Sequence, residues 1–389
     1  MLTVTVDQTT ADPSSARIAA RYQARHVQWD ESSLPRVRAC AKRASRGRNG
    51  DAGITVKTST REDGSRSAGF GGLQHCGSRW ACPVCASVIA SHDQRVVETV
   101  LRGWTDEGGQ IALATFTMSH GRQHRLKTLW DAQAAAWHAV ASGRGWKADQ
   151  AEFGSLRAVE TAKGPRIDLW IPTIRVTETT HGDLNGWHNH IHVLMLLPGD
   201  TTQDDCDRLE ERLWTRWDAA LRSRGLSSSR EHGADVHLMV DDPVKEAVGY
   251  VTKSTYDAES KGALEATRSD LKSARPGHRK PFDVLASIVA TGDADDLDLW
   301  HEWESASKSR RGIAYSRGLR AQYAPDIAEM TDEEIVDEDQ GGDVAVQLDR
   351  DVYQAIVRAR ADWRVLAAFR LSDDLGRQSL VPFMVQADQ

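Results

Sequence analysis

Long hydrophobic runs are missing from this sequence of 389 residues. No apolar stretch approaches the roughly 20 residues that a membrane-spanning helix needs, which argues against a membrane protein. Residues 1–12 lack a positively charged start followed by an apolar core, so we expect no secretory signal peptide. The Walker A pattern G-x-x-x-x-G-K-[ST] is missing as well, which argues against a fused P-loop motor. Together these absences indicate a cytoplasmic protein.

Cysteine is also scarce, with five residues in the chain. Four of them are Cys40, Cys76, Cys82 and Cys85, and the last two have the C-x2-C spacing of a zinc ligand pair. So few cysteines, spaced in this way, argue against a disulfide scaffold and for a reducing compartment. We expect a closed structural Zn²⁺ site, in which either Cys40 or His75 is the fourth ligand.

The excess of positive charge that is typical of nucleic-acid-binding proteins is missing too, because the net charge is −7. The charge is uneven, however: residues 326–351 hold eleven acidic side chains and one basic one, which leaves the rest of the chain at +3. Local basic patches can contact phosphates despite an acidic total, and ordinary solvated surface is the alternative explanation. Two such groups are present: Arg36, Arg38, Lys42, Arg43, Arg46 and Arg48, and then Lys272, Arg275, Arg279 and Lys280.

Histidines are clustered in one short stretch of the sequence. His188, His190 and His192 alternate with other residues directly ahead of the apolar run 193–197, which is typical of a buried strand. Side chains on a strand alternate between its two faces, so the three imidazoles share one face and can bind a divalent metal. Glu178, on the preceding strand of a predicted hairpin, would add an oxygen ligand suited to Mg²⁺ or Mn²⁺. Surface histidines without a metal are the simpler alternative.

A helix that begins at Asp242-Pro243 is predicted further along the chain. Glu246, Tyr250 and Lys253 are spaced so that they share one face of it. A tyrosine hydroxyl, with a pKa of about 10, attacks phosphorus only when a metal polarises the phosphate and a cation such as Lys253 stabilises the developing charge. Glu246 is a candidate proton acceptor. Taken alone, an amphipathic helix with a packed tyrosine explains the same pattern.

With these motifs placed, the chain resembles the replication initiators of rolling-circle plasmids, of the actinobacterial type, in the HUH endonuclease superfamily. Residues 114–119, residues 186–194 and Glu246-x3-Tyr250-x2-Lys253 are similar to three motifs of that family, in the same order. Residues 76–85 and 316–320 are also similar, so the resemblance covers about residues 36–322. The sequence departs from the family at two points. Asn189 stands where the family often has proline, and there is one tyrosine at the nucleophile position.

The resemblance implies an α+β HUH endonuclease fold, in which helices flank a central antiparallel β-sheet, with an N-terminal zinc-binding module and a helical C-terminal region. It implies that His190 and His192, supported by His188 or Glu178, hold Mg²⁺ or Mn²⁺ on the scissile phosphate. Tyr250 would then attack, forming a 5′-phosphotyrosine link and freeing a 3′-hydroxyl, and Glu246 would activate water for a second cleavage. The implied partners are plasmid origin DNA, single-stranded at the nick and duplex or hairpin where it is recognised, a host helicase and a DNA polymerase.

Two alternatives stay open: a relaxase or transposase of the same nuclease class, and a non-enzymatic zinc-containing DNA-binding regulator. For duplex DNA, the basic group within residues 36–48 is our first choice and the group within 272–280 our second, and either should give strong salt dependence. We expect residues 283–305 to form one helix. The predicted division of the chain is a flexible arm (1–35), a cysteine-rich zinc-binding module (36–102), the HUH domain (103–262), a basic connector and helical region (263–324), an acidic linker (325–351) and a C-terminal helical segment (352–389).

Overall fold

Helices and strands alternate along most of the chain. The computed structural model describes residues 13–47, 50–51, 53–60, 64–159, 164–255, 278–338 and 341–387. The helices among them are α1 (Pro13–Glu31), α2 (Pro35–Arg38), α3 (Pro83–Asp106), α4 (Leu126–Val140), α5 (Gly143–Phe153), α6 (Gln203–Arg222), α7 (Pro243–Thr255), α8 (Pro281–Thr291), α9 (Ala294–Ser307), α10 (Leu319–Tyr323), α11 (Asp332–Asp337), α12 (Arg350–Arg358), α13 (Asp362–Leu371) and α14 (Asp373–Ala387). The strands are β1 (Arg46–Gly47), β2 (Gly50–Asp51), β3 (Ile54–Thr60), β4 (Arg66–Gly71), β5 (Gln110–Phe116), β6 (Ser155–Val159), β7 (Arg166–Trp170), β8 (Thr173–Gly182), β9 (Gly186–Leu197), β10 (Ala234–Leu238), β11 (His278–Arg279), β12 (Ile313–Tyr315) and β13 (Asp343–Leu348).

The largest sheet has the order β10-β5-β9-β8-β11, with β12 also paired to β8, and every pair in it is antiparallel. Its central strand, β9, is apolar on both faces from residue 193 onwards because helices cover both sides. Helices α3 and α7 pack on one face, through side chains such as Leu101 and Val248. Helices α4 and α6 cover the other, through Leu129 and Trp217. The predicted α+β architecture with an antiparallel sheet between helices is confirmed.

A tight hairpin joins β8 to β9. It pairs Glu178 with His190 and Thr180 with His188. The return begins at Gly186, whose φ of 72° lies in the left-handed region. A Cβ at that position would lie 3.0 Å from the Cα of Arg122, so the chain also passes too close there for a larger residue.

The acidic segment does not form the flexible linker that its composition suggested. Strand β13 pairs with β3 in a three-stranded sheet of order β13-β3-β4. Helix α11 is held by ion pairs from Arg79 to Asp332 and from Arg36 to Glu333. Composition predicted disorder because the acidic side chains offer little apolar surface, whereas the partners that order them come from far away in the sequence.

The expected flexible N-terminal arm is also wrong for residues 13–31, which form helix α1; residues 1–12 lie outside the described part of the chain. Arg25 and His26 of α1 are buried and both pair with the fully buried Asp362 of α13. Two of the polar side chains of this stretch, Arg25 and His26, are therefore paired in the interior, whereas Asp30 and Glu31 are exposed. Further on, helices α12, α13 and α14 occupy most of the segment predicted to be helical at 352–389.

The single helix expected over residues 283–305 is two helices. Gly292 ends α8 in the left-handed conformation (φ 68°), and Asp293 caps α9 by accepting a hydrogen bond from the backbone N–H of Asp296. The same Asp296 binds Arg279, so one cation of the second basic group is neutralised. Lys272 and Arg275 lie outside the described residues. Within the described ranges, no helix has the length and apolar character to cross a membrane.

Candidate metal centres and the tyrosine helix

Three potential ligands meet where β8 and β9 pair. Glu178 faces His190 directly across the two strands, and His192 lies two residues further along β9, on the same face. One carboxylate oxygen of Glu178 lies 3.0 Å from the Nε2 atom of each histidine, and these two nitrogens are 3.1 Å apart. The three side chains therefore converge on one point, as period-two alternation and a hairpin register require.

The spacing of these atoms fits one face of an octahedral metal site. Bonds of about 2.1 Å at right angles place neighbouring ligand atoms about 3.0 Å apart, whereas a tetrahedral ion with the same bonds needs about 3.4 Å. The separations of 3.0, 3.0 and 3.1 Å are close to the octahedral value, and without a metal they are hydrogen-bond lengths between the three side chains. Two imidazoles and a carboxylate suit Mn²⁺ or Mg²⁺, and also Fe²⁺, and they leave the opposite face open for substrate.

His192 has a further partner that orients it. Its Nδ1 lies 3.0 Å from the hydroxyl oxygen of Thr115, its neighbour on β5. When Nδ1–H donates to that hydroxyl, the lone pair of Nε2 is free for a metal, as in metal sites whose ligating histidines are held by an outer partner. The sequence placed Thr115 in a predicted strand, and the register was needed to show that this strand lies beside the histidines.

Glu178 is held in its ionised form. Burial raises the pKa of its carboxyl, but hydrogen bonds and charge from His190 and His192 outweigh burial and hold the pKa well below its ordinary value. The group therefore presents a negative oxygen to whatever cation the two histidines receive.

His188 shares the face of the other two histidines but does not join their ligand group, which consists of Glu178, His190 and His192. It pairs with Thr180, which is two residues beyond Glu178 on β8. The centroid of its ring lies 4.7 Å from that of His120 and 5.0 Å from that of His190. Burial lowers the pKa of His188 to about 3, and the neighbouring rings His190 and His120 add to the shift. Of the two residues expected to support the pair, Glu178 is the one whose side chain meets His190 and His192.

Asn189 points to the opposite face of the sheet, as expected, and it is buried there. Its amide donates a 2.6 Å hydrogen bond to Gln133 of α4, and its carbonyl accepts one of 2.5 Å from Thr179. Gln133 in turn donates to Thr177 at 3.4 Å. A proline in place of Asn189 could make neither side-chain bond, so this chain uses the position to fix α4 on the sheet.

Helix α7 brings Tyr250 to the face of the sheet that carries Glu178, His190 and His192. Asp242 caps it by accepting a 3.2 Å hydrogen bond from the backbone N–H of Lys245. Its buried side is the i, i+3, i+4, i+7 set Val244, Ala247, Val248 and Val251, which packs on the sheet. The Tyr250 ring lies 5.7 Å from that of His192, and 37% of the residue is exposed. The ring therefore lies beside the ligand group and is partly accessible from solvent.

No contact with the ligand group is described for the two other residues predicted on this helix, Glu246 and Lys253. Glu246 is exposed, one turn before Tyr250. The backbone of Lys253 continues α7, but its side chain lies outside the described residues.

A second group consists of four cysteines. Cys40, Cys76, Cys82 and Cys85 are all buried, and their sulfur atoms lie within 4.8 Å of one another. The closest separations, 3.6 to 3.7 Å, approach the value of about 3.8 Å for sulfurs on a tetrahedral zinc ion with 2.3 Å bonds. Of the two alternatives for the fourth ligand, the geometry favours Cys40. His75 turns away, with its Nδ1 3.3 Å from Asp337.

Fold and site together define an α+β protein with an antiparallel sheet, a two-histidine, one-carboxylate centre beside a tyrosine, and a buried four-cysteine centre. The chain is similar to the Streptomyces lividans protein named "Protein rep", with 31% identity over 298 residues, which are 66% of this chain and 65% of that relative. It is also similar to a "Neomycin resistance protein" of Streptomyces cyanogenus, with 28% identity over 175 residues, 40% of this chain and 39% of that one. The chain thus covers just under two thirds of the first relative's length. No family model and no solved structure matches it.

Proposed function

We propose that this protein initiates rolling-circle replication of a plasmid by nicking one DNA strand with Tyr250. The observation that carries the proposal is the position of the Tyr250 ring, exposed and 5.7 Å from His192, one of the three converging ligands. Similarity to a relative named "Protein rep" supports the role in replication. Origin DNA is the proposed substrate, and a host helicase and DNA polymerase are the proposed partners that would use the nicked strand.

Each residue has a defined part in the proposed reaction. Glu178, His190 and His192 would hold Mg²⁺ or Mn²⁺, which supplies Lewis-acid stabilisation of the phosphate when bound. The Tyr250 oxygen forms the new bond to phosphorus and loses its proton, while the 3′-oxygen of the preceding nucleotide leaves and is protonated to a hydroxyl. Lys253 would stabilise the charge, and Glu246 would accept a proton when water later attacks. The four cysteines would hold a structural Zn²⁺.

A basic cleft lies at the hairpin end of the sheet, and its strand residues His181 and Trp187 belong to the face opposite to the ligand group. The cleft has a volume of about 370 Å³ and lies against Gly186 and Trp187, a few residues before His190 on the same strand. Arg122, His124 and Arg125 line it and offer donors to phosphates. Glu302 is its one carboxylate, 3.7 Å from Arg125.

Covalent capture tests the proposal without knowledge of the origin sequence. A single-stranded oligonucleotide pool of random sequence, labelled at the 3′ end, is incubated with the protein and Mn²⁺ and resolved on a denaturing gel. Because the 5′-phosphate stays on Tyr250, the 3′ label should move to the protein band. Tyr250→Phe should lose this adduct completely and still bind the pool, since only the hydroxyl is removed.

Tyr256→Phe is the matched control, because Tyr256 is six residues further on, off the predicted catalytic face. It should form the adduct as the unmodified protein does. An undiminished adduct with Tyr250→Phe would refute the assignment, and no adduct with any variant at any Mn²⁺ concentration would favour the non-enzymatic regulator. Sequencing the captured strands would reveal the sequence that they have in common at the cut. This sequence would distinguish a replication initiator from a relaxase or transposase.

A further inference from the structure

One basic loop, residues 38–43, is held rigidly beside the four cysteines. Cys40 lies within it, and the N–H of Ala41 donates a 2.8 Å hydrogen bond to the carbonyl of Gln74. From the other side, the buried hydroxyl of Tyr353 donates to the carbonyl of Ala41 at 2.6 Å, and Gln354 donates to that of Lys42 at 2.7 Å. Helix α12 and the cysteine centre together fix the direction of the loop's exposed side chains.

Two clefts adjoin this loop and share Arg43. The larger, of about 750 Å³, also contains Arg36, Arg350 and the polar groups of Gln74 and Gln354. The smaller, of about 310 Å³, contains Arg38 and Lys42. Five basic side chains therefore line a continuous surface, against the carboxylate of Asp337 in the larger cleft and that of Glu333, which pairs with Arg36. This balance is the reverse of that of the whole chain, whose net charge is −7.

Two of these cations serve no visible structural purpose. Arg43 and Arg350 are exposed, and neither forms an ion pair with any described residue, in contrast to the buried Arg25 and to Arg79. Arg350 is moreover the first residue of α12, where the helix dipole disfavours a positive charge. Together with their neighbours in the two clefts, Arg43 and Arg350 leave this surface positively charged, which suits a negative ligand.

We propose that this surface, formed by Arg36, Arg38, Lys42, Arg43 and Arg350, binds the phosphate backbone of duplex DNA apart from the nicking site. The inference rests on the proposed function, which makes DNA the substrate. Guanidinium and amide donors spread over two adjoining clefts suit a ligand with phosphates at regular intervals better than a single small anion. The cysteine centre would then act on duplex binding indirectly, by holding the loop.

The test is a fluorescence-anisotropy titration of a 30-base-pair duplex of random sequence with the full chain, over a series of salt concentrations. Removing two phosphate contacts with Arg43→Ala/Arg350→Ala should reduce the slope of log affinity against log salt by about 2. The matched control is Arg358→Ala, an exposed arginine on the same helix that lines neither cleft. Zinc content and melting temperature of each variant show whether the fold is retained.

Two further arms separate the possible outcomes. Covalent capture of the single-stranded pool should be unchanged in the double variant. If the wild type forms no adduct but still binds the duplex, the proposed nicking is refuted and the proposed duplex-binding surface is not. Polyglutamate is titrated as a second polyanion, and equal binding with the same arginine dependence would mean an acidic protein partner instead of DNA. The proposal is also overturned if the double variant keeps the wild-type slope and affinity, if Arg358→Ala loses as much, or if the wild type does not bind duplex DNA at low salt.

Discussion

The hydroxyl of Thr115 offers the sharpest test of the histidine centre, because it touches a ligand and nothing that reacts. It lies 3.0 Å from Nδ1 of His192, on the strand that neighbours β9. Thr115→Val replaces the hydroxyl with a methyl group of similar size, so the strand should keep its shape. The imidazole would then lose the partner that selects its tautomer and its ring angle, while the ligand atoms all remain.

The expected magnitude follows from the kind of bond that is lost. A hydrogen bond to a charged group contributes about 1.5–3 kcal/mol, and a neutral imidazole that is polarised by a bound divalent cation approaches this case. Outer partners of ligating histidines change metal affinity by about 10- to 100-fold, which is about 1.4–2.7 kcal/mol. We therefore expect Thr115→Val to weaken Mn²⁺ binding by that factor.

Calorimetric titration with Mn²⁺, and the Mn²⁺ dependence of covalent capture, measure the effect in two ways. At saturating Mn²⁺ the capture rate should recover, because Tyr250 and the DNA contacts are untouched. Thr117→Val is the control, since the Thr117 hydroxyl bonds to the carbonyl of His232 and to no ligand. A Mn²⁺ affinity within about twofold of wild type, below the expected range, or an equal loss in the control, would refute the role of Thr115.

The remaining predictions concern the two ends of the chain. Asp362→Ala leaves the charge of Arg25 buried and unpaired, so we expect the free energy of unfolding to fall by about 3–5 kcal/mol in thermal or urea unfolding, against less than about 0.5 kcal/mol for the exposed Asp374→Ala. Burial raises the pKa of Asp362, but His26 and Arg25 outweigh burial and hold the pKa below its ordinary value. The stability that ionised Asp362 contributes is therefore complete above about pH 4 and is lost as the pH falls through the folded pKa. This pH dependence should be missing from the acid unfolding curve of Asp362→Ala. Cys40→Ser should lower the zinc content found by elemental analysis, whereas His75→Ala should leave it unchanged; the opposite pattern would assign the fourth ligand to His75.

Local periodicity was enough to predict the core of the histidine centre. His190 and His192 needed only the alternation of a strand, and Glu178 needed a short hairpin whose register follows from its turn. His188 was placed on the correct face, but alternation alone did not separate it from the other two histidines; the residue opposite it is Thr180, and the carboxylate of Glu178 is two residues away on β8. Thr115 was missed because the pairing of β5 with β9 is not visible in the sequence.

The errors at the two ends have a different physical origin. The burial of α1 depends on Asp362, and the order of the acidic segment depends on β3 and on Arg79. Composition measures how much apolar surface a segment can bury, and it does not reveal a distant partner for a charge. The broken helix at Gly292 was different, since glycine followed by aspartate is a local stop and cap signal that the helical pattern on both sides obscured.

The two halves of the basic surface are far apart in the sequence, so this surface can form only late in the synthesis of the chain. Tyr353 fixes the loop at Ala41 from 312 residues further along the chain, and β13 joins strands that are made equally early. During synthesis, at about 5–20 residues per second, the sheet with the histidines and then the tyrosine helix leave the ribosome well before Arg350 is made. If both proposals hold, a nascent or truncated chain would acquire the nicking site before the duplex-binding surface. The final strand and helices would then decide whether a chain that can nick can also bind duplex DNA.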